Sequence, residues 1–335
     1  MRDRDDPASN SAAQKEQPAD QPAGKYVHKH ADWLTRLAPV LFLLLWSTGF
    51  PLAKMGLRYA SPMALLAWRF GLTVAVLLPL FVILRPPLPR NAAAWRQLIV
   101  AGFLIQTMYF GLSYLAFNAG ISAGLAALIA SLQPLLVSLL APKLVGEHIA
   151  LRQWVGLFLG LAGAAGVIVV RSRVEVESLW GVVLITGALF GITAAMFYEK
   201  RYGTPQHPVT ANLVQYTVGF VTCAPAALWL EHARVQWTGE FVAVLAYLVI
   251  GNSLVAISLL LAMSRAGKVS RVASLFLFVP PLAAAMSWLL LGEAMPPLAW
   301  VAMAVAALGV FIGASSRAGD GKGESGTARR DEARR

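Results

Sequence analysis

Ten apolar runs, each long enough to cross a bilayer, leave this chain little choice of fold. They fall at roughly 38–57, 61–84, 97–118, 121–142, 153–170, 178–198, 209–230, 241–264, 272–291 and 294–316. Inside hydrocarbon every backbone N–H and C=O must be paired within the protein, so an apolar run of about 20 residues folds as a spanning helix. These runs are too long, and too rich in Leu and Gly, for the alternating strands of a β-barrel, which cross in about 10 residues. Connections are short, so neighbouring helices run antiparallel. The expected fold class is an all-α integral membrane protein of ten transmembrane helices, called spans 1 to 10 here. Its first partner is the lipid bilayer.

A soluble reading fails on charge. Asp, Glu, Lys and Arg supply 13% of the 335 residues, hydrophobic residues supply 57%, and mean hydropathy is +0.62. Soluble domains carry roughly 25% charge. The net charge of +11 implies no nucleic-acid partner, because topology explains it. Both tails, Arg85, Arg90 and Arg96, Lys143 and Arg152, Lys200 and Arg201, and Arg265, Lys268 and Arg271 share one side of the membrane. Only Lys54, Arg58, Arg171, Arg173 and Arg234 fall on the other. The positive-inside rule then puts both termini in the cytoplasm. Residues 1–36 and 317–335 are polar and read as disordered cytoplasmic tails.

Shifting the chain by 146 positions superposes Lys54 on Lys200, Pro62 on Pro208, Pro79 on Pro225, Pro134 on Pro280, Gly146-Glu147 on Gly292-Glu293 and Trp154 on Trp300. The chain is a duplication, with a first repeat over 37–172 and a second over 173–316. Each repeat holds five spans. An odd number makes the second copy start on the opposite side of the membrane, so the two five-helix repeats are inverted. Inverted repeats underlie alternating access, with substrate held near the midplane.

The residues that carry the repeat also carry a family resemblance. Trp46 to Lys54 (WSTGFPLAK) and Pro62 to Phe70 (PMALLAWRF) resemble the opening segments of the drug/metabolite transporter superfamily. Ala130 to Glu147 and Leu277 to Glu293 are similar to its doubled proline-to-Gly-Glu signature. The whole resembles the ten-helix EamA-type branch. The resemblance implies a bacterial inner-membrane carrier of small metabolites, often an exporter, whose members move amino acids, sugars, purines and drugs. Its small four-helix relatives bear an acid in the first helix; Leu41 to Phe50 has none.

Polar side chains inside a membrane are the default site candidates. Gln106, Tyr109 and Ser113 share one α-helical face, and the repeat places Asn252 on Gln106. The two amides form either a clamp on a polar substrate or interhelical glue worth roughly 1 kcal/mol. Trp46 and Tyr109 are candidate cavity aromatics beside the polar Ser47 and Gln106; Tyr114, Tyr216 and Trp288 read more readily as packing or anchors. Gln133 precedes Pro134, and Pro280 lies at the equivalent depth. A proline within a helix strips the carbonyl four residues earlier of its partner, which makes Pro134 and Pro280 candidate hinges. Arg69 is the one cation well inside a span, and its repeat mate is the neutral Gln215. It binds a substrate carboxylate, snorkels to the surface or pairs structurally.

The 17 Asp and Glu stay in tails, loops or helix ends, so a midplane carboxylate relay is not expected. The small-residue stripes of spans 5 and 10 offer a homodimer face. The lone Cys223 and five scattered histidines predict no metal site, and no phosphate-binding loop or catalytic constellation appears. No cofactor and no enzymatic activity are expected. The partner that remains is a small-molecule substrate, and the competing reading is a non-transporting membrane sensor or structural subunit on the same fold.

Overall fold

The computed structural model describes residues 24–133, 178–259 and 278–292, with pieces at 136–137, 140, 151, 154–156, 158–159, 162–163, 296–298, 300–305, 307–309 and 311–312. The chain divides into two units, residues 1–37 and 38–335. In the first, the described backbone is helical from Gly24, inside the stretch expected to be a disordered tail. No Pro or Gly interrupts residues 25–38, so nothing there stops helix propagation. All that follows concerns the second unit.

Eight helices order the argument: α1 (Gly24–Gly56), α2 (Pro62–Leu84), α3 (Ala92–Asn118), α4 (Ala123–Ser131), α5 (Leu179–Tyr202), α6 (Pro208–Leu230), α7 (Gly239–Leu259) and α8 (Val279–Leu291). Among the described residues, six segments are long and apolar enough to cross a membrane: Leu37–Gly56 of α1, together with α2, α3, α5, α6 and α7. They match spans 1, 2, 3, 6, 7 and 8. Spans 4, 5, 9 and 10 lie partly or mostly outside the described residues, and with them most of the proposed homodimer face. α3 begins earlier than the apolar run because Asn91 caps it, its side chain accepting from Ala94 N at 2.8 Å. Ser122, Ser178 and Thr238 cap α4, α5 and α7 in the same way. Gly292 closes α8 at φ 68°, a left-handed turn that suits glycine, which accounts for the glycine of the second Gly-Glu signature.

The outer surfaces are apolar. Ile83, Val221, Trp229 and Leu230 are all at least 60% exposed, a face suited to acyl chains. Between helices the contacts come from packing and small polar links, as where Thr107 and Thr222 hydroxyls meet at 2.6 Å between α3 and α6.

The repeat mates α2 and α6 pack extensively against each other, and they run antiparallel. At one end Ser61 N donates to Arg234 O (3.1 Å), Gln236 N to Tyr59 O (2.7 Å), and Ala60 bridges Val235. The Glu231 carboxylate caps α2 there, accepting from Met63 N at 2.8 Å and Ala64 N at 3.4 Å. Tyr59 Oη donates to Glu240, a bond that holds the phenol above its ordinary pKa. At the other end Thr210 Oγ1 donates to Pro87 O at 3.1 Å. Pro79 and Pro225 sit inside α2 and α6 at the same repeat position.

A second symmetry was not anticipated. α3 winds as a π-helix over Phe103–Phe110 and α7 over Tyr247–Ala256. The 146-residue shift maps the first segment into the second. Such wide turns within α-helices frequently mark functional sites.

Candidate functional site

α2 buries one stripe of side chains, Leu65, Leu66, Arg69, Phe70, Thr73 and Leu77, at helical spacing. Arg69 stands in the middle of it and is 2% exposed. It therefore does not snorkel. Its Nε donates to Ser253 Oγ (3.0 Å), Nη1 to Tyr114 Oη (2.9 Å) and Nη2 to Asn252 Oδ1 (2.7 Å). The guanidinium also lies 4.7 Å from the centre of the Phe110 ring, a favourable cation–π position. A guanidinium has five N–H donors, and these bonds occupy one on each nitrogen. One N–H on Nη1 and one on Nη2 remain for a further acceptor, the fork that a carboxylate fills.

Every acceptor just named is neutral. Three carboxylates among the described residues are engaged elsewhere: Glu231 at the start of α2, Glu240 with Tyr59, and Glu199 with Gln215. A buried charge without a counter-ion is costly, and hydrogen bonds offset only part of that cost. An anionic ligand would complete the arrangement.

Arg69 opens onto a small cavity of about 30 Å³. Its wall is aromatic: Trp46 and Phe50 from α1, with Tyr109, Phe110, Tyr114 and Phe117 from α3. Gly49 and Ala53 keep the α1 side low, while Ser113 and Asn252 add polar points. Ser113 Oγ is buried and has no hydrogen-bond partner among the described residues, so it can serve a ligand. Asn252 is locked in place, its Nδ2 donating to Leu45 O at 3.4 Å. A Cβ on Gly49 would lie 2.4 Å from Asn252 Nδ2, so this close approach requires glycine.

The sequence candidates divide accordingly. Trp46, Tyr109, Arg69 and Asn252 come together in the cavity. Gln106 is buried but faces α6, where a Cβ on Gly219 would lie 2.6 Å from Gln106 Cβ, and its Oε1 has no partner among the described residues. The two amides therefore do not converge on one ligand. The wide π turn breaks the α-helical register that had placed Gln106 with Tyr109 and Ser113. Ser47 is buried, its hydroxyl has no partner among the described residues, and it does not line this cavity. Gln133 lies away from it, its Nε2 3.8 Å from Met196 Sδ. Pro134 falls outside the described residues. Pro280 stands in the first turn of α8, where the lost N–H would lack a helical partner anyway, so it does not interrupt that helix. Trp288 is 62% exposed, as an anchor would be.

The sequence reading missed Ser253, Phe110, Phe50 and Phe117. The signal for Ser253 was the polar pair Asn252-Ser253 within an apolar run. The signal for the phenylalanines was the recurrence of aromatics at 109, 110, 114 and 117. Among the described residues no cluster of His, Cys, Asp or Glu could hold a metal.

Comparison with known proteins adds the family. The model of the EamA-like transporter family matches residues 36–169 and again 179–314. The chain is 25% identical to the "Uncharacterized transporter YvbV" of Bacillus subtilis, covering 77% of this chain and 84% of that protein. It is 25% identical to the "Probable amino-acid metabolite efflux pump" of Escherichia coli K12, covering 82% and 92%. It is 24% identical to the "Uncharacterized inner membrane transporter YedA" of the same organism, covering 80% and 87%. A solved crystal structure aligns with TM-score 0.56 at 22% identity over 83% of this chain and 94% of that one, a likeness of fold alone.

Proposed function

The chain belongs to the EamA-like transporter family, and from that premise we propose that it is a secondary carrier exporting a small carboxylate-bearing metabolite, an amino acid or a close relative, by alternating access. It is a multi-pass membrane protein of a transporter family. The observation that carries the substrate reading is Arg69, buried in an aromatic cavity with two N–H groups unspent and no carboxylate against it among the described residues. A substrate carboxylate binds there in bidentate fashion, Ser113 takes a second polar group, and the aromatic wall holds the apolar remainder.

Alternating access follows from an inverted duplication. Three observations support it: the family model matching twice, the antiparallel course of α2 and α6, and two π segments at one repeat distance. The efflux pump of Escherichia coli among the relatives supports export, and its inner membrane transporter supports an inner-membrane location; the charge distribution puts both termini in the cytoplasm. Glu199 and Glu240 stand at the ends of their helices, so neither serves as a midplane relay, which leaves exchange, facilitated diffusion or coupling through another group.

The test is a resistance and efflux screen in an overexpressing strain, with amino acids and analogues beside their amides and methyl esters. Acids should be exported and the masked forms should not. Equal export of both would refute a carboxylate at Arg69.

A further inference from the structure

A second cavity lies one helical turn beyond the first along both α1 and α3. It has about 220 Å³ of space and is lined by Lys54, Leu57, Arg58, Phe117, Asn118 and Leu291. The linings run on: α1 contributes Trp46, Gly49, Phe50 and Ala53 to the deep cavity and Lys54, Leu57 and Arg58 to this one. α3 contributes Tyr109 to Phe117 to the first, and Phe117 and Asn118 to the second. Among the described residues Phe117 alone lines both.

We infer that Phe117 is the gate between the Arg69 cavity and a polar vestibule at the end of the bundle where α1 turns into α2. The ring is 4% exposed and packs 6.1 Å from Tyr114, itself a partner of Arg69. Empty space on two sides lets a single side chain swing without moving a helix. The two chambers differ in chemistry as a gate requires. The deep one is aromatic around a single guanidinium, whereas the outer one presents two cationic side chains and an amide. A carboxylate leaving Arg69 passes the ring into a lining that keeps its charge solvated. Phe117 thereby sets the size of molecule that crosses, a selection separate from the charge selection at Arg69. This inference rests on the Arg69 cavity being the transport site.

The experiment reads access directly and needs no substrate, so it succeeds or fails independently of the carboxylate reading. Cys223, the lone and buried cysteine, is replaced by Ser, and Ala53→Cys supplies a reporter in the deep cavity. A membrane-impermeant sulfonated thiol reagent is added on the side from which a separate Arg58→Cys variant is labelled. With Phe117 present, labelling of Ala53→Cys is slow. Phe117→Ala accelerates it about tenfold or more, as expected when a gating side chain is removed, while Phe117→Leu gives a smaller rise and Arg58→Cys labelling is unchanged. If Phe117→Ala is poorly expressed, the graded Phe117→Leu and Phe117→Met pair supplies the same readout. Labelling rates within twofold of the parent in all these variants would overturn the gate.

Discussion

The π segments of α3 and α7 occupy the same position in their repeats, yet they do opposite things. The α7 segment aims Asn252 and Ser253 at Arg69 and fixes two of its nitrogens. The α3 segment turns Gln106 away toward Gly219 and α6, leaves its Oε1 unpartnered among the described residues, and presents Tyr109 and Phe110 to the cavity. The backbone device was duplicated and the chemistry was not. The cause lies one helix away: Arg69 exists only in the first copy, and Gln215 stands at its equivalent. An amide facing a guanidinium becomes part of a site, while an amide without one is packing. Duplication thus supplied a symmetric frame, and one charged residue made the frame asymmetric.

Removing that charge should have the largest effect. Arg69→Gln makes the two copies alike at this position and should lower transport of a carboxylate substrate by roughly 100-fold or more, since each charge-assisted hydrogen bond contributes about 1.5–3 kcal/mol. Efflux normalised to membrane expression measures it, and near-normal rates would break the comparison. Next comes Asn252→Asp, which puts a carboxylate where Oδ1 now sits, 2.7 Å from Nη2. The internal ion pair competes with the substrate, and apparent affinity should fall by about tenfold or more. A smaller loss is expected for Gly49→Ala, whose new Cβ would lie 2.4 Å from Asn252 Nδ2 and push the amide aside. Overpacking of that kind costs about 1–3 kcal/mol, and it should appear as weaker binding together with a lower melting temperature. The smallest effect belongs to Gln106→Met. Replacing an amide whose Oε1 has no partner among the described residues by an apolar side chain of similar length should leave transport within about twofold and stability unchanged or slightly higher. A collapse of transport in that variant would restore the clamp that the geometry removes.

Much of the fold could be read before any coordinates. Span ends at 84, 118 and 230 agree with the helices to the residue, because in a bilayer length and hydropathy decide where a helix can end. The site was legible only in part. Arg69, Asn252, Trp46 and Tyr109 stood out as costly or bulky groups in apolar runs. Gln106 misled because its face was assigned by α-helical periodicity, which the i→i+5 ladder of Phe103–Phe110 does not obey. Ser47 misled because a buried hydroxyl beside a cavity aromatic need not share its direction. Pro280 misled because the described helix opens at Val279, so a residue that would break a helix interior begins one instead. Nothing in the pattern of residue types announces a π turn, so positions that depend on one had to be seen.

The joined turns at Tyr59–Ser61 and Arg234–Gln236 bear on how such a bundle could rock. Cross-braced at one end by main-chain bonds and tied at the other through Thr210 and Pro87, α2 and α6 cannot slide past each other without breaking both fastenings. They form a fixed spindle, and Arg69 is mounted on it. The alternating exposure of the guanidinium proposed above would therefore fall to α1, α3 and α7 pivoting around a stationary charge.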